Sequence, residues 1–161
     1  MELLNDYFNL GDDASSGELT AAYEKLKNTF SDRVFLKGAE GETAARELMR
    51  LQDNYKSADI FLKNRDFKEG NAEISEMVKR AAKSGEADGI QAYLDVINDK
   101  NAYWHYIQST VYYIKKLYFD ALRHLRLALS MDGENAKYAK ALFKLEEKIL
   151  IANAEVFEEE E

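Results

Sequence analysis

The apolar residues of Ala102–Asn135 recur every three or four positions, and that spacing suits only one kind of backbone. Trp104, Ile107, Val111 and Ile114 share one stripe, and Ala121, Leu122, Leu125, Ala128 and Leu129 share another. A helix of 3.6 residues per turn gathers such positions on one face, whereas a strand scatters them over two. The stretch predicts two amphipathic helices joined by a short turn. Ser109, Ala121 and Ala128 are small where two helices must approach closely. Asp132-Gly133 predicts the stop, because glycine tolerates the left-handed backbone that ends many helices. None of the 161 residues is proline. The chain therefore lacks the residue that most strongly breaks a helix interior, and the all-α expectation extends to its whole length.

The same positions resemble one tetratricopeptide repeat, a helical pair with a period of about 34 residues. Ser109, Tyr112, Tyr118, Ala121, Leu125 and Ala128 carry the resemblance, and Gly133 stands where that pattern usually has proline. It implies a binding surface or scaffold rather than a catalyst. A degenerate copy precedes it. Glu73–Ala82 places Ile74, Met77, Val78 and Ala81 inward, Ser84-Gly85 turns the chain, and Ala87–Asn98 places Ile90, Tyr93, Leu94 and Ile97 inward. Gly89, Ile90, Tyr93 and Val96 line up with Ala121, Leu122, Leu125 and Ala128 at an offset of 32 residues, 121 minus 89. A last helix from Ala136 to about Ala154 offers Tyr138, Leu142, Leu145 and Ile149 as a cap for the open face of the array. Glu146, Glu147 and the neighbouring lysines read as its solvated side.

The first third has a different pattern. Leu3, Leu4, Tyr7, Phe8 and Leu10 form a short apolar segment ended by Gly11. Ser15 followed by Glu18 is a capping box, and a helix from about Gly17 to Phe30 carries Leu19, Ala22, Tyr23 and Leu26. A loop from Ser31 to about Gly41 leads to a helix over Glu42–Leu62 with Leu48, Leu51 and Tyr55 as its stripe. Asp6–Leu26 and Ala45–Ala58 together resemble the J domain of DnaJ-type co-chaperones. Tyr7, Leu10, Gly11, Ala14, Ser15, Glu18, Leu19, Ala22 and Tyr23 match in the first segment, and Leu48, Leu51, Gln52 and Tyr55 in the second. That family carries a His-Pro-Asp motif after its second helix, with which it triggers ATP hydrolysis by a DnaK-type chaperone. Here the loop opens Thr29-Phe30-Ser31-Asp32-Arg33, so Phe30, Ser31, Asp32 and Arg33 stand in the motif's place without its histidine and proline. Lys25 and Lys27 lie beside Glu18 and Glu24, which leaves little positive potential on that helix.

The expected architecture is all-α. A J-domain-like helical hairpin spans 1–63, a short polar linker containing Gly70 spans 64–71, a short tetratricopeptide-like array with a capping helix spans 72–157, and an acidic tail spans 158–161. Hydrophobic residues make up 46%, enough for a core, and there is no cysteine for a disulfide, a thiolate nucleophile or a zinc-thiolate site. The net charge of −8 argues against nucleic acid as a partner. No apolar run reaches the roughly 20 residues of a membrane span, and MELLNDYFNL lacks a basic leader pattern, so a cytoplasmic location is expected. His105 and His124 lie on the two helices of one hairpin with Asp120 nearby, and they read as ordinary boundary histidines rather than a metal site. No catalytic residue, cofactor or metal is expected. The aromatics crowd one hairpin, and Tyr103, Trp104, Tyr106 and Tyr113 are the candidates for contact with a protein or peptide partner, or with a second copy in a homodimer. The expected function is non-catalytic protein–protein interaction. The alternative is a co-chaperone that engages a DnaK-type chaperone through its non-standard loop.

Overall fold

Ser15 starts the first long helix. Its Oγ accepts the Glu18 amide at 3.2 Å, and the Glu18 carboxylate accepts the Ser15 amide at 2.8 Å. This reciprocal box satisfies two donors near the helix start, where amides lack intrahelical partners. The structure, a computed structural model, describes residues 3–159. A π-helical turn, Leu3–Tyr7, is followed by α1 (Ser16–Ser31), α2 (Ala39–Asp66), α3 (Ala72–Ser84), α4 (Asp88–Asp95), α5 (Ala102–Ile114), α6 (Tyr118–Met131) and α7 (Ala136–Glu159). Among the described residues there is no strand, and the fold is all-α. No described helix is long and apolar enough to cross a membrane. The chain divides into two compact units, Met1–Asp66 and Phe67–Glu161.

In the first unit α1 and α2 pack antiparallel. Tyr23 meets Tyr55 with ring centroids 4.3 Å apart, and Leu19, Leu51, Ala58 and Leu62 are buried with Leu4 and Phe8 between the elements. The expected linker at 64–71 needs correction here. Helix α2 continues to Asp66 because Arg65 has partners far away in sequence. Its guanidinium donates to the carbonyls of Asp12 at 2.6 Å and Ala14 at 2.7 Å, and also pairs with Asp66 at 2.7 Å. Phe67 is buried against Tyr93 and Tyr103 in the second unit. Only Lys68–Asn71 remains as connector. Gly70 there takes a positive φ of 85°, and Asn71 caps α3 by accepting the Ile74 amide at 2.9 Å.

The second unit is built on two apolar clusters. One gathers Ile74, Ala81, Ile90, Leu94, Trp104 and Val111 from α3, α4 and α5 around Phe67 of the preceding segment; the other gathers Ala121, Leu125, Ala128, Tyr138 and Leu145 from α6 and α7. Tyr106 packs against both. Ser109, Ala121 and Ala128 are all buried, as close approach of α5 to α6 requires.

Three local expectations change. Helix α4 ends at Asp95, not Asn98. The Leu94 carbonyl, which a longer helix would offer to the Asn98 amide, accepts the Ile97 amide at 3.1 Å and the Trp104 indole at 3.1 Å. Val96, aligned in sequence with Ala128, therefore falls outside the helix. Gly133 is not among the glycines with positive φ. Helix α6 instead stops at an Asp132–Asn135 turn, where Asn135 Oδ1 caps α7 by accepting the Tyr138 amide at 3.3 Å. The left-handed residue of the hairpin is Lys116, with φ 61°. The amide of Leu117 bonds the Tyr112 carbonyl at 2.9 Å and that of Lys116 bonds Tyr113 at 3.0 Å, the pattern of a Schellman helix end. Finally, α7 runs to Glu159, into the stretch expected as tail. Its last two positions, 160–161, lie outside the described residues.

Candidate functional site

Tyr106, Thr110 and Tyr113 fall at i, i+4 and i+7 on α5 and form one wall of an open groove of about 230 Å³. Ala141, Lys144 and Leu145 of α7 form the other wall, over a floor that includes Leu125. The lining is held from behind. Tyr106 stacks on Tyr138 with centroids 4.8 Å apart and planes 23° apart. The Thr110 hydroxyl is tied to the Tyr106 carbonyl at 3.1 Å. Lys137 sits 5.0 Å above the Tyr106 ring and pairs with Glu69 at 3.8 Å. Burial, reinforced by Glu69, raises the Tyr106 phenol and pushes Tyr138 up to about 12, so both stay protonated at neutral pH. A protonated phenol beside an ammonium can donate or accept a hydrogen bond from a polar ligand.

The four aromatics expected at a partner surface separate into two groups. Tyr113 is 46% exposed and Tyr106 is half-buried, and both line the groove. Tyr103 and Trp104 are core residues, which corrects their candidacy. Tyr103 is 8% exposed and packs on Phe67 at 5.0 Å, and burial pushes its phenol up to about 12. Trp104 is 6% exposed and its indole N–H is already used by Leu94. Sequence reasoning missed the α7 wall. The signal was present in Lys137, Lys140, Lys144 and Lys148 at helical spacing, but on a lone helix such a row is indistinguishable from a solvated face.

The histidines are neighbours. His105 Nδ1 and His124 Nδ1 are 3.0 Å apart, the rings stack at 5.2 Å, and Tyr112 stacks on His124 at 5.4 Å. Burial holds both below the ordinary imidazole range. The positive Lys100 adds to this at both rings, and His124 is lowered further by His105 and Arg123 against an opposing Asp120. At neutral pH the pair shares one N–H as a hydrogen bond across α5 and α6. Among the described residues no group of three or more histidine, cysteine or carboxylate side chains is arranged to hold a metal ion.

In the first unit the residues expected in the motif's place occupy different settings. Phe30 and Ser31 belong to the last turn of α1, and Phe30 packs against the unit's core. Asp32 ends the helix with its amide on the Asn28 carbonyl at 3.3 Å, and Arg33 is exposed. Phe30, Arg33 and Leu36 border a cleft of about 580 Å³ against Ala39, Thr43 and Glu47 of α2. Gly41 lets the loop close down, because a side chain there would collide with the Leu36 carbonyl. At the tip Phe35 is 90% exposed. No protein-family model matches this chain, and no curated protein or solved structure matches it either.

Proposed function

We propose that this protein is a non-catalytic docking scaffold whose α5–α7 groove receives a segment of a protein partner. The observation that carries the reading is the lining. An apolar floor at Leu125 lies between an aromatic wall at Tyr106 and Tyr113 and an α7 wall that sets the Lys144 ammonium beside Ala141 and Leu145. Aromatic side chains with a polar tip concentrate binding energy at interfaces, and a flanking cation selects a partner carrying carboxylates. The resemblance of α5 and α6 to a tetratricopeptide repeat supports the same reading. The cysteine-free sequence supports a cytoplasmic setting.

The test uses a fluorescein-labelled peptide with one aromatic residue among glutamates, titrated with the full chain and followed by anisotropy. Tyr113→Ala and Lys144→Glu should each weaken binding by about tenfold without lowering the melting temperature. Binding that ignores both substitutions would refute the groove.

A second reading is favoured by Phe35. Phe35 is 90% exposed and the adjacent Leu36 46%, which makes an apolar loop tip flanked by Arg33 and Lys37. In this reading the first unit is the J-like module and its loop engages a DnaK-type chaperone. The chaperone's ATPase rate, measured with wild type and Phe35→Ala, decides it. Stimulation lost in the variant supports the loop, and no stimulation by wild type removes the reading.

A further inference from the structure

His105 and His124 are the only histidines of the chain, and they face one another across α5 and α6. Their Nδ1 atoms are 3.0 Å apart, so one Nδ1 carries the hydrogen and the other offers its lone pair. That contact tolerates one proton beyond the neutral pair. A first proton, taken on the outer Nε2 of the donor ring, leaves the Nδ1–H···Nδ1 bond in place and adds a charge behind it. A second proton fills the remaining Nδ1 lone pair. Two N–H groups then point at each other between two positive rings, and attraction becomes repulsion.

The surroundings do not relieve that repulsion. Lys100, in the segment before α5, and Arg123 on α6 act on the pair as cations, and Asp120 on α6 is the opposing carboxylate. Asp120 is itself engaged by Arg123 at 3.4 Å. Tyr112 of α5 lies stacked on His124 with ring centroids 5.4 Å apart. Trp104 stands edge-on to His105 at 5.1 Å and reaches His124 at 6.0 Å. With aromatic rings packed on both histidines, the two charges separate by movement of the helices that carry them. Those helices meet closely through the buried Ser109, Ala121 and Ala128, so a small displacement changes their contact.

The same two helices shape the α5–α7 groove. Tyr106, in its wall, directly follows His105 on α5, and Leu125, in its floor, directly follows His124 on α6. We propose that the His105–His124 pair is a pH latch on this groove. With one shared N–H it holds Tyr106 and Leu125 in the spacing that receives a partner segment, and with both rings protonated it parts them and releases the partner. Protonated histidines act in this way where a charge change biases two packed elements. The latch rests on the reading of the groove as a docking surface and adds its regulation.

Two measurements on the full chain test it. NMR follows the imidazole signals together with the Leu125 methyls and the Tyr106 ring between pH 8 and pH 5. Calorimetry follows binding of the unlabelled aromatic-and-glutamate peptide over the same range. Leu125 and Tyr106 should move with the second imidazole titration rather than the first. The affinity should fall about tenfold across that step, while far-ultraviolet circular dichroism shows the helices intact. The variant H105N/H124N, whose amides keep a hydrogen bond without titrating, should bind like wild type at pH 7.5 and lose nothing at pH 5.5. Imidazoles that titrate without moving Leu125 and Tyr106 overturn the proposal, as does a second titration that comes only with unfolding. An affinity constant through the second titration, or an acid loss kept by the folded double variant, overturns it equally. Should the double variant not fold, the wild-type signals still decide. A chain that binds no peptide at any pH refutes the groove reading, and unmoved Leu125 and Tyr106 signals refute the latch separately.

Discussion

Replacing Trp104 with phenylalanine tests how the second unit is joined. The indole is 6% exposed, donates to the Leu94 carbonyl at 3.1 Å, and lies 4.9 Å below the Lys100 ammonium. Phenylalanine keeps an aromatic ring and loses three contributions. The hydrogen bond is worth about 1 kcal/mol net, because the Leu94 carbonyl keeps its bond from the Ile97 amide. The exposed cation contact is worth about 0.5 kcal/mol. The lost pyrrole portion of the indole removes roughly 1 kcal/mol of burial. The expected destabilisation is therefore about 2.5 kcal/mol, read from urea unfolding by circular dichroism, with the α5–α7 peptide affinity unchanged in the folded protein. A loss below about 0.5 kcal/mol would show that the indole is not buried as described. Intact stability with abolished peptide binding would return Trp104 to the partner surface and refute the placement of α4 against α5.

Three further outcomes are expected. The His105–His124 pair makes stability depend on pH. Both imidazoles are lowered in the fold, so the unfolded chain binds more protons; stability is fully present above the unfolded value near ~6.5 and is lost as pH falls through the folded values. Thermal melts between pH 8 and pH 5 should show this fall and His124→Phe should lessen it, while a flat wild-type profile would refute the buried pair. Lys116→Gly should stabilise the chain by about 0.5–1 kcal/mol in chemical denaturation, because a left-handed lysine at φ 61° is relieved; destabilisation would count against the Schellman turn. Gly41→Ala should destabilise by about 1–3 kcal/mol, against the usual gain of alanine in a helix, because the methyl meets the Leu36 carbonyl. A stabilised variant would mean that the loop does not rest on α2.

What could be read in the sequence was local. The Ser15–Glu18 capping box involves groups three residues apart, and it forms as its spacing requires. The stripes of α3, α5 and α6 follow from the helical period, so Ile74, Ile107, Val111, Ala121, Leu125 and Ala128 are buried where the pattern puts them. The candidate site was half legible. Tyr106 and Tyr113 were identified on α5, but the opposing wall came from α7, and no periodicity within either helix says which faces will meet.

The helical segments, their inward faces and the small residues at the α5–α6 contact follow from local spacing, because each depends on positions within a few turns of one chain segment. Tertiary structure decided the rest through groups distant in sequence. The carbonyls of Asp12 and Ala14 hold Arg65 and extend α2 through the expected linker. The Trp104 indole occupies the Leu94 carbonyl, where α4 stops short of its predicted end. Phe67 buries Tyr103, while Tyr113, ten positions further along the same stretch, remains exposed. Two tyrosines of identical chemistry on one helix differ only in what packs against them, and that depends on how the helices meet.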